Sequence, residues 1–264
     1  MNRRSIALIG FGALSHIFLE VFEAHLADHY RLAGIYSVPT PADGEGYPLF
    51  DSLEQLLAAR PDYVLEFAGV EALRSHGEAV LAAGCDLIAV SIGALADDAF
   101  FARLRDTAAA HGSRLHLPNG AIGGFDVLRT MSLAGTEQVV IENYKAPAGL
   151  NGAPYLKGRA LAEDREELVF RGTAREAIAS FPKNVNVAVA AALAAADVDR
   201  AQVEITSVPG LRQNTHIVRA KNALAEVRLE ISSLPDPKNP KSSTITAWSV
   251  AALLKELAAP VRFF

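Results

Sequence analysis

The chain is poor in cysteine, tryptophan and methionine, with one, one and two in 264 residues. A single thiol, Cys85, rules out an intramolecular disulfide and argues against a cysteine-built metal cluster. It follows a helical segment and opens a strand, the setting of a buried structural thiol. There is no basic block beyond Arg3-Arg4 and the net charge is -5, so neither nucleic acid nor an anionic membrane is an expected partner. No long apolar stretch of the signal-peptide kind opens the sequence. The longest apolar run, residues 185–196, carries Asn186 and is too short to cross a bilayer. What is present is hydrophobic: half of all residues, against 21% charged, enough to build one large domain or two modest ones. A cytoplasmic protein is the expectation.

The first half alternates strand and helix. Residues 5–9 form a short apolar run ending at Gly10, as a buried parallel strand does. Ala13, Leu14, Ile17, Phe18, Val21 and Phe22 then recur at helical spacing. Between them lies Gly10-Phe11-Gly12-Ala13-Leu14-Ser15, a tight glycine turn feeding a helix N-terminus, which aims backbone N–H groups at an anion such as a dinucleotide pyrophosphate. Ser15 stands where the third glycine of that pattern falls, and the same residues fit an ordinary strand-to-helix turn. Strands at 31–36, 63–67, 87–91 and 114–117, with helices at 70–83 and 97–111, complete a doubly wound parallel sheet over residues 1–118.

Pro118-Asn119-Gly120 breaks the alternation. Residues 138–146 read as a long alternating strand and 183–196 as an alanine-rich helix. Residues 203–208, 215–220 and 223–231 read as successive antiparallel strands. Three prolines between 235 and 240 exclude regular structure there, and a last helix covers 244–258. The expected architecture is α/β: a parallel-sheet domain over 1–118, then an α+β catalytic and dimerisation domain over 119–242. The C-terminal helix, within 243–264, is expected to pack back on the first domain.

Several polar residues are placed for chemistry. Gly120-Ala121-Ile122-Gly123-Gly124 leaves the end of the last parallel strand, where a glycine-rich backbone either admits a flat ring or hinges two domains. Ser91-Ile92-Gly93 and Glu66 end neighbouring strands on the same rim, and His116 ends another. In Lys183-Asn184-Val185-Asn186, one asparagine suits a helix cap and Asn186 suits a ligand amide or a supporting polar contact. His216 opens a strand in Asn214-Thr215-His216. There an imidazole serves as a general base or, equally on these residues alone, as a structural histidine. Lys241 sits before a serine-capped helix, placed for a carboxylate or for solvent.

Taken in order, these segments resemble the L-aspartate dehydrogenase family. The similarity rests on Gly10-Phe11-Gly12-Ala13, Ser91-Ile92-Gly93-Ala94-Leu95 and the run from Pro118 to Gly124. It continues through Phe181-Pro182-Lys183-Asn184-Val185-Asn186, Asn214-Thr215-His216 and Asn239-Pro240-Lys241-Ser242-Ser243. The resemblance implies a Rossmann domain with an α+β catalytic domain, a homodimer, and oxidation of L-aspartate with NAD or NADP to iminosuccinate, hence oxaloacetate and ammonia. It also implies a place in pyridine nucleotide biosynthesis. It assigns catalysis to His216 and cofactor contacts to Ala121 and Asn186, beside Gly10, Phe11, Gly12, Ala13, Leu14 and Ser37. Lys145, Lys183 and Lys241 are the expected ligands of a dicarboxylate amino acid substrate, and no metal is expected.

Two departures qualify this. Tyr144 replaces an arginine of the family pattern in Asn143-Tyr144-Lys145, so another amino acid, an imine or a semialdehyde is the alternative substrate. Ser37, not an acidic residue, follows the second strand, which leaves both NAD and NADP open. A dinucleotide-binding protein without turnover is the remaining reading.

Overall fold

The structure, a computed structural model, describes residues 3–182, 185–234 and 243–262. Its elements are β1 (Arg4–Ile9), α1 (Ala13–His25), β2 (Tyr30–Tyr36), β3 (Leu49–Phe50), α2 (Leu53–Ala58), β4 (Tyr63–Glu66), α3 (Val70–Ala82), β5 (Asp86–Ala89), α4 (Asp98–His111) and β6 (Leu115–His116). They continue as α5 (Phe125–Leu133), β7 (Gln138–Lys145), α6 (Pro147–Leu150), β8 (Glu167–Thr173), α7 (Ala174–Ser180), α8 (Asn186–Ala195), β9 (Gln202–Ser207), β10 (Asn214–Lys221), β11 (Glu226–Ser233) and α9 (Ile245–Ala258). Two compact units result: Met1–Pro118 with Thr246–Phe264, and Asn119–Ile245.

The first unit is a six-stranded sheet in the order β3-β2-β1-β4-β5-β6, parallel throughout. Ile6, Ala7 and Leu8 of β1 are fully buried, as a central parallel strand requires. The chain runs outward from β1 to β3, then returns to β4 on the other side of β1. The reversal puts the carboxyl ends of β1 and β4 side by side, with Ile9 paired to Glu66. Phe18 and Phe22 of α1, Tyr30, Tyr63, and Ala247, Val250 and Leu254 of α9 share one core. The Tyr30 hydroxyl donates to the Leu254 carbonyl at 2.7 Å. Asp97 caps α4, accepting from the Phe100 N–H at 3.0 Å, and Gly112 ends it in the left-handed region.

The second unit is a mixed sheet in the order β11-β10-β7-β9-β8. β10 and β11 are antiparallel neighbours. The expectation of successive antiparallel strands fails at β9, which lies on the far side of β7 and runs parallel to it. A parallel partner needs a long crossover, and β8, α7 and α8 occupy the chain between them. α8 packs on β7, β10 and α5. Its Ala188, Val189, Ala191, Ala192 and Ala195 are buried, which explains the alanine-rich sequence. Val185 holds the cap position of α8, so Asn186 is its first helical residue and not its cap.

Candidate active site

In the first unit the glycine turn is shaped by two requirements. Gly10 has φ 98°, and a Cβ there would come within 2.9 Å of both the Ala68 Cβ and the Ala68 backbone nitrogen. Its N–H donates to the Tyr36 carbonyl at 2.8 Å, joining the turn to the end of β2. Gly12, the cap residue of α1, is exposed and has open space where its Cβ would stand. The first N–H groups of a helix lack intrahelical partners and carry the positive end of its dipole. Phe11, Ala13 and Leu14 flank this opening, and Ser37 directly follows the Tyr36 that anchors the turn. Ser15 replaces a glycine without loss: it is buried and its hydroxyl donates to the Gly10 carbonyl at 2.9 Å, pinning the turn to the helix. The residues therefore fit a dinucleotide pyrophosphate, with one glycine needed for the turn and the other for close approach.

Glu66 is buried, not rim-exposed. Its carboxylate accepts from the N–H groups of Ala68 (2.8 Å), Gly69 (2.7 Å) and Ser91 (3.0 Å) and from the Ser91 hydroxyl (2.9 Å). It thereby braces the two loops beside the Gly10 turn. Burial raises its pKa, and the hydrogen bonds from Gly69 and Ser91 oppose that rise. His116 is committed to Asp86 at 3.0 Å.

In the second unit the inner face of the sheet changes character along its length. Val139, Ile141, Val203, Ile205, Val218 and Ala220 make it apolar. At the carboxyl ends of β7 and β9 and the start of β10, the same face becomes Asn143, Lys145, Ser207, Asn214 and His216, all buried. His216 Nδ1 lies 2.7 Å from Asn143 Oδ1, and Asn143 Nδ2 donates to the Glu204 carbonyl at 3.4 Å. Because a carbonyl only accepts, the second contact turns the amide oxygen toward the imidazole. Nδ1 then carries the proton and Nε2 keeps its lone pair. Burial, aided by the charge of Lys145, lowers the His216 pKa to about 3. Burial alone lowers that of Lys145 to about 8.

Of the residues singled out in the sequence, this cluster unites His216 and Lys145. Asn143 and Ser207 do not stand out by residue type, although alternation along Val139, Ile141, Asn143, Lys145 and along Val203, Ile205, Ser207 marks them as inward-facing. The same alternation sends Tyr144 to the other face, where its hydroxyl donates to Glu142 at 2.8 Å and Glu142 pairs with Arg219 at 2.7 Å. Ala121 is buried in the glycine segment and Asn186 half-buried in the first turn of α8. Gly124, with φ 77°, is packed on Leu229, so its lack of a side chain serves this contact. Lys183 and Lys241 lie outside the described residues. Among the described residues no group of His, Cys, Asp and Glu is arranged to hold a metal, and no helix is long and apolar enough to cross a membrane.

Comparisons with known proteins match both parts of the chain. Residues 126–257 match the family described as aspartate dehydrogenase, C-terminal, and residues 10–118 match homoserine dehydrogenase, NAD binding domain. An L-aspartate dehydrogenase of Ruegeria pomeroyi is 39% identical, over 99% of this chain and 95% of its own. One of Methanosarcina acetivorans is 36% identical over 81% of this chain and 80% of its own. The crystal structure of aspartate dehydrogenase from Thermotoga maritima superposes with a TM-score of 0.80 at 25% identity, covering 100% of both chains.

Proposed function

The chain belongs to the L-aspartate dehydrogenase family, and on that premise we propose how its residues carry out NAD(P)-dependent oxidation of L-aspartate. The observation that carries the reading is the buried His216–Asn143 pair, which presents an unprotonated Nε2 beside a lysine. The Gly10 turn, with Phe11, Gly12, Ala13 and Leu14, holds the dinucleotide phosphates, and Ala121 and Asn186 contact the cofactor. The dinucleotide held there would supply the hydride acceptor for oxidation at the substrate α-carbon. His216 Nε2 takes the proton from the substrate amine, and the product is iminosuccinate. Water then adds to that imine, with the same histidine moving the proton, to give oxaloacetate and ammonia. Asn143 keeps the histidine in the tautomer this needs. Tyr144 lies on the opposite sheet face from His216 and Lys145, which removes the sequence reason for a different substrate. Reduction of NAD or NADP on addition of L-aspartate to the purified protein tests the reading.

Two expectations follow for the supporting residues. Asn143→Leu removes the acceptor on Nδ1 and frees the imidazole to adopt the other tautomer. Its kcat falls by about tenfold or more, while the affinity for the dinucleotide, measured by fluorescence titration, stays within twofold. Ser37 neither repels a 2′-phosphate nor accepts both ribose hydroxyls as a carboxylate does. Ser37→Asp therefore moves the ratio of kcat/KM for NAD over NADP upward by about tenfold or more, chiefly by weakening NADP. An unchanged ratio places the ribose away from Ser37.

The acting form is a cytoplasmic homodimer whose iminosuccinate feeds pyridine nucleotide biosynthesis. The family resemblance supports the dimer and the pathway, and the absence of a spanning helix among the described residues is consistent with the location.

A further inference from the structure

At the amino end of the first unit's sheet the chain forms a cavity of about 630 Å³ that the chemistry above does not use. It lies at the starts of β1, β4 and β5 and just before β6, opposite the Gly10 turn, and the length of β1 separates the two by roughly 16 Å. Three arginines line it, Arg4, Arg60 and Arg114, in a chain whose net charge is -5. Two carboxylates line it as well, and both are engaged with the strand starts. Asp62 accepts from the Ser5 N–H at 2.6 Å and from the Ser5 hydroxyl at 2.9 Å. Asp86 accepts from the Arg114 N–H at 2.8 Å and lies 3.0 Å from His116 Nε2. These contacts pin the segments that carry the arginines and leave the guanidinium groups unmatched. Among the described residues none of the three forms an ion pair with a carboxylate. Arg4 donates to the Tyr63 hydroxyl at 2.8 Å, which fixes its direction and leaves its other N–H groups over. Arg60 follows the cap of α2 with φ 47°, a left-handed position that glycine holds without strain. An arginine kept there on a strained backbone serves by its side chain.

We propose that this cavity binds a small phosphorylated anion, with Arg4, Arg60 and Arg114 on its phosphoryl oxygens. A phosphoryl group presents three oxygens in different directions, one for each guanidinium arriving from a separate strand start. The two coplanar oxygens of a carboxylate match two such forks at most. The volume falls in the range of small-molecule sites, which selects a small anion over an acidic protein surface. The pinned strand starts hold the arginines before the ligand arrives, so little freedom is lost on binding. Because the cavity lies at the opposite end of the sheet from the Gly10 turn, anion and dinucleotide bind at the same time.

Inorganic pyrophosphate is the probe, titrated by calorimetry into the purified protein saturated with NAD, so that the turn proposed for the dinucleotide phosphates is filled. The wild type takes up one equivalent, with an affinity that falls by about threefold or more between about 0.05 and 0.2 M salt. Arg60→Gly combined with Arg114→Ser weakens binding by about tenfold or more. Glycine suits the left-handed backbone, so the double variant melts within about 2 °C of the wild type. Its NAD affinity and its rate of L-aspartate oxidation without pyrophosphate stay within about twofold of wild type, since neither arginine is near the Gly10 turn. Tricarballylate, with three carboxylates and no phosphorus, binds about fivefold or more weakly than pyrophosphate. No binding by the wild type at about 10 mM pyrophosphate, binding that NAD abolishes, or an affinity in the double variant within about twofold of wild type overturns the site. Tricarballylate bound as tightly as pyrophosphate overturns its assignment to a phosphoryl group.

Discussion

Replacing His216 by alanine lowers kcat for L-aspartate oxidation by about a hundred- to ten-thousandfold and leaves dinucleotide affinity within about twofold. The size of the effect follows from the loss of the proposed base, whose imidazole is kept neutral by burial and whose Nε2 is left as the bare nitrogen by the Asn143 contact on Nδ1. The split between turnover and affinity follows because the turn proposed to hold the phosphates is built from β1 and α1 of the other unit. The variant also leaves the buried Asn143 Oδ1 without its partner, which costs roughly 1–3 kcal/mol of stability. Activity is therefore compared at a temperature where both proteins are folded. The histidine has a pH signature as well. Its folded-state pKa, about 3, lies below the ordinary 6.5, so the unfolded chain binds a proton there that the folded chain does not. His216 thus makes stability fall as pH drops from about 6.5 towards 3, and its alanine variant lacks that part of the decline. Turnover within threefold of wild type in the alanine variant removes His216 from the chemistry.

The second large effect separates two glycines that look alike in the sequence. Gly10→Ala puts a Cβ within 2.9 Å of the Ala68 backbone nitrogen at a residue whose φ is 98°. The strained backbone costs about 1–3 kcal/mol. Crowding against a neighbour that Glu66 holds in place costs a similar amount. The expected result is a melting temperature lower by about 5 °C or more, with dinucleotide affinity down by about a hundredfold. Gly12→Ala meets open space at an ordinary φ, so its melting temperature stays within about 2 °C of wild type. Its affinity for the dinucleotide nevertheless falls about tenfold, because the new methyl stands where the phosphates approach. Thermal melts and cofactor titrations of the two variants side by side check this. Equal behaviour of the two variants contradicts the division of labour assigned to them.

The parallel sheet was readable because its signals are local. A buried strand such as β1 is a continuous apolar run, and the glycine turn after it is a sequence motif. The second sheet was harder, because neighbours in the sheet are not neighbours in the chain. β9 follows α8 in sequence, yet its partners are β7 and β8, and nothing local in residues 202–207 names them. β8 carries no clear sequence signal: its ladder is broken by a register shift between Leu168 and Phe170, so its alternation is imperfect. The polar cluster of the second sheet is half legible. His216 and Lys145 stand out by residue type, while Asn143 and Ser207 acquire meaning only once β7, β9 and β10 are laid side by side. Tyr144, which replaces a family arginine beside Lys145 in sequence, bears on the substrate only if both face the site, but adjacent residues of a strand point to opposite faces.

The central claim is that this chain oxidises L-aspartate with a nicotinamide dinucleotide by means of a single buried histidine. Its most direct test is the initial rate of NAD and NADP reduction by the purified wild type and His216→Ala at alkaline pH, with L-aspartate, D-aspartate, L-asparagine and L-alanine offered separately. The account predicts rapid reduction with L-aspartate alone, formation of oxaloacetate and ammonia in equal amounts, and near-complete loss in the variant. Reduction at comparable rates with L-alanine, or with L-aspartate in the alanine variant, contradicts it.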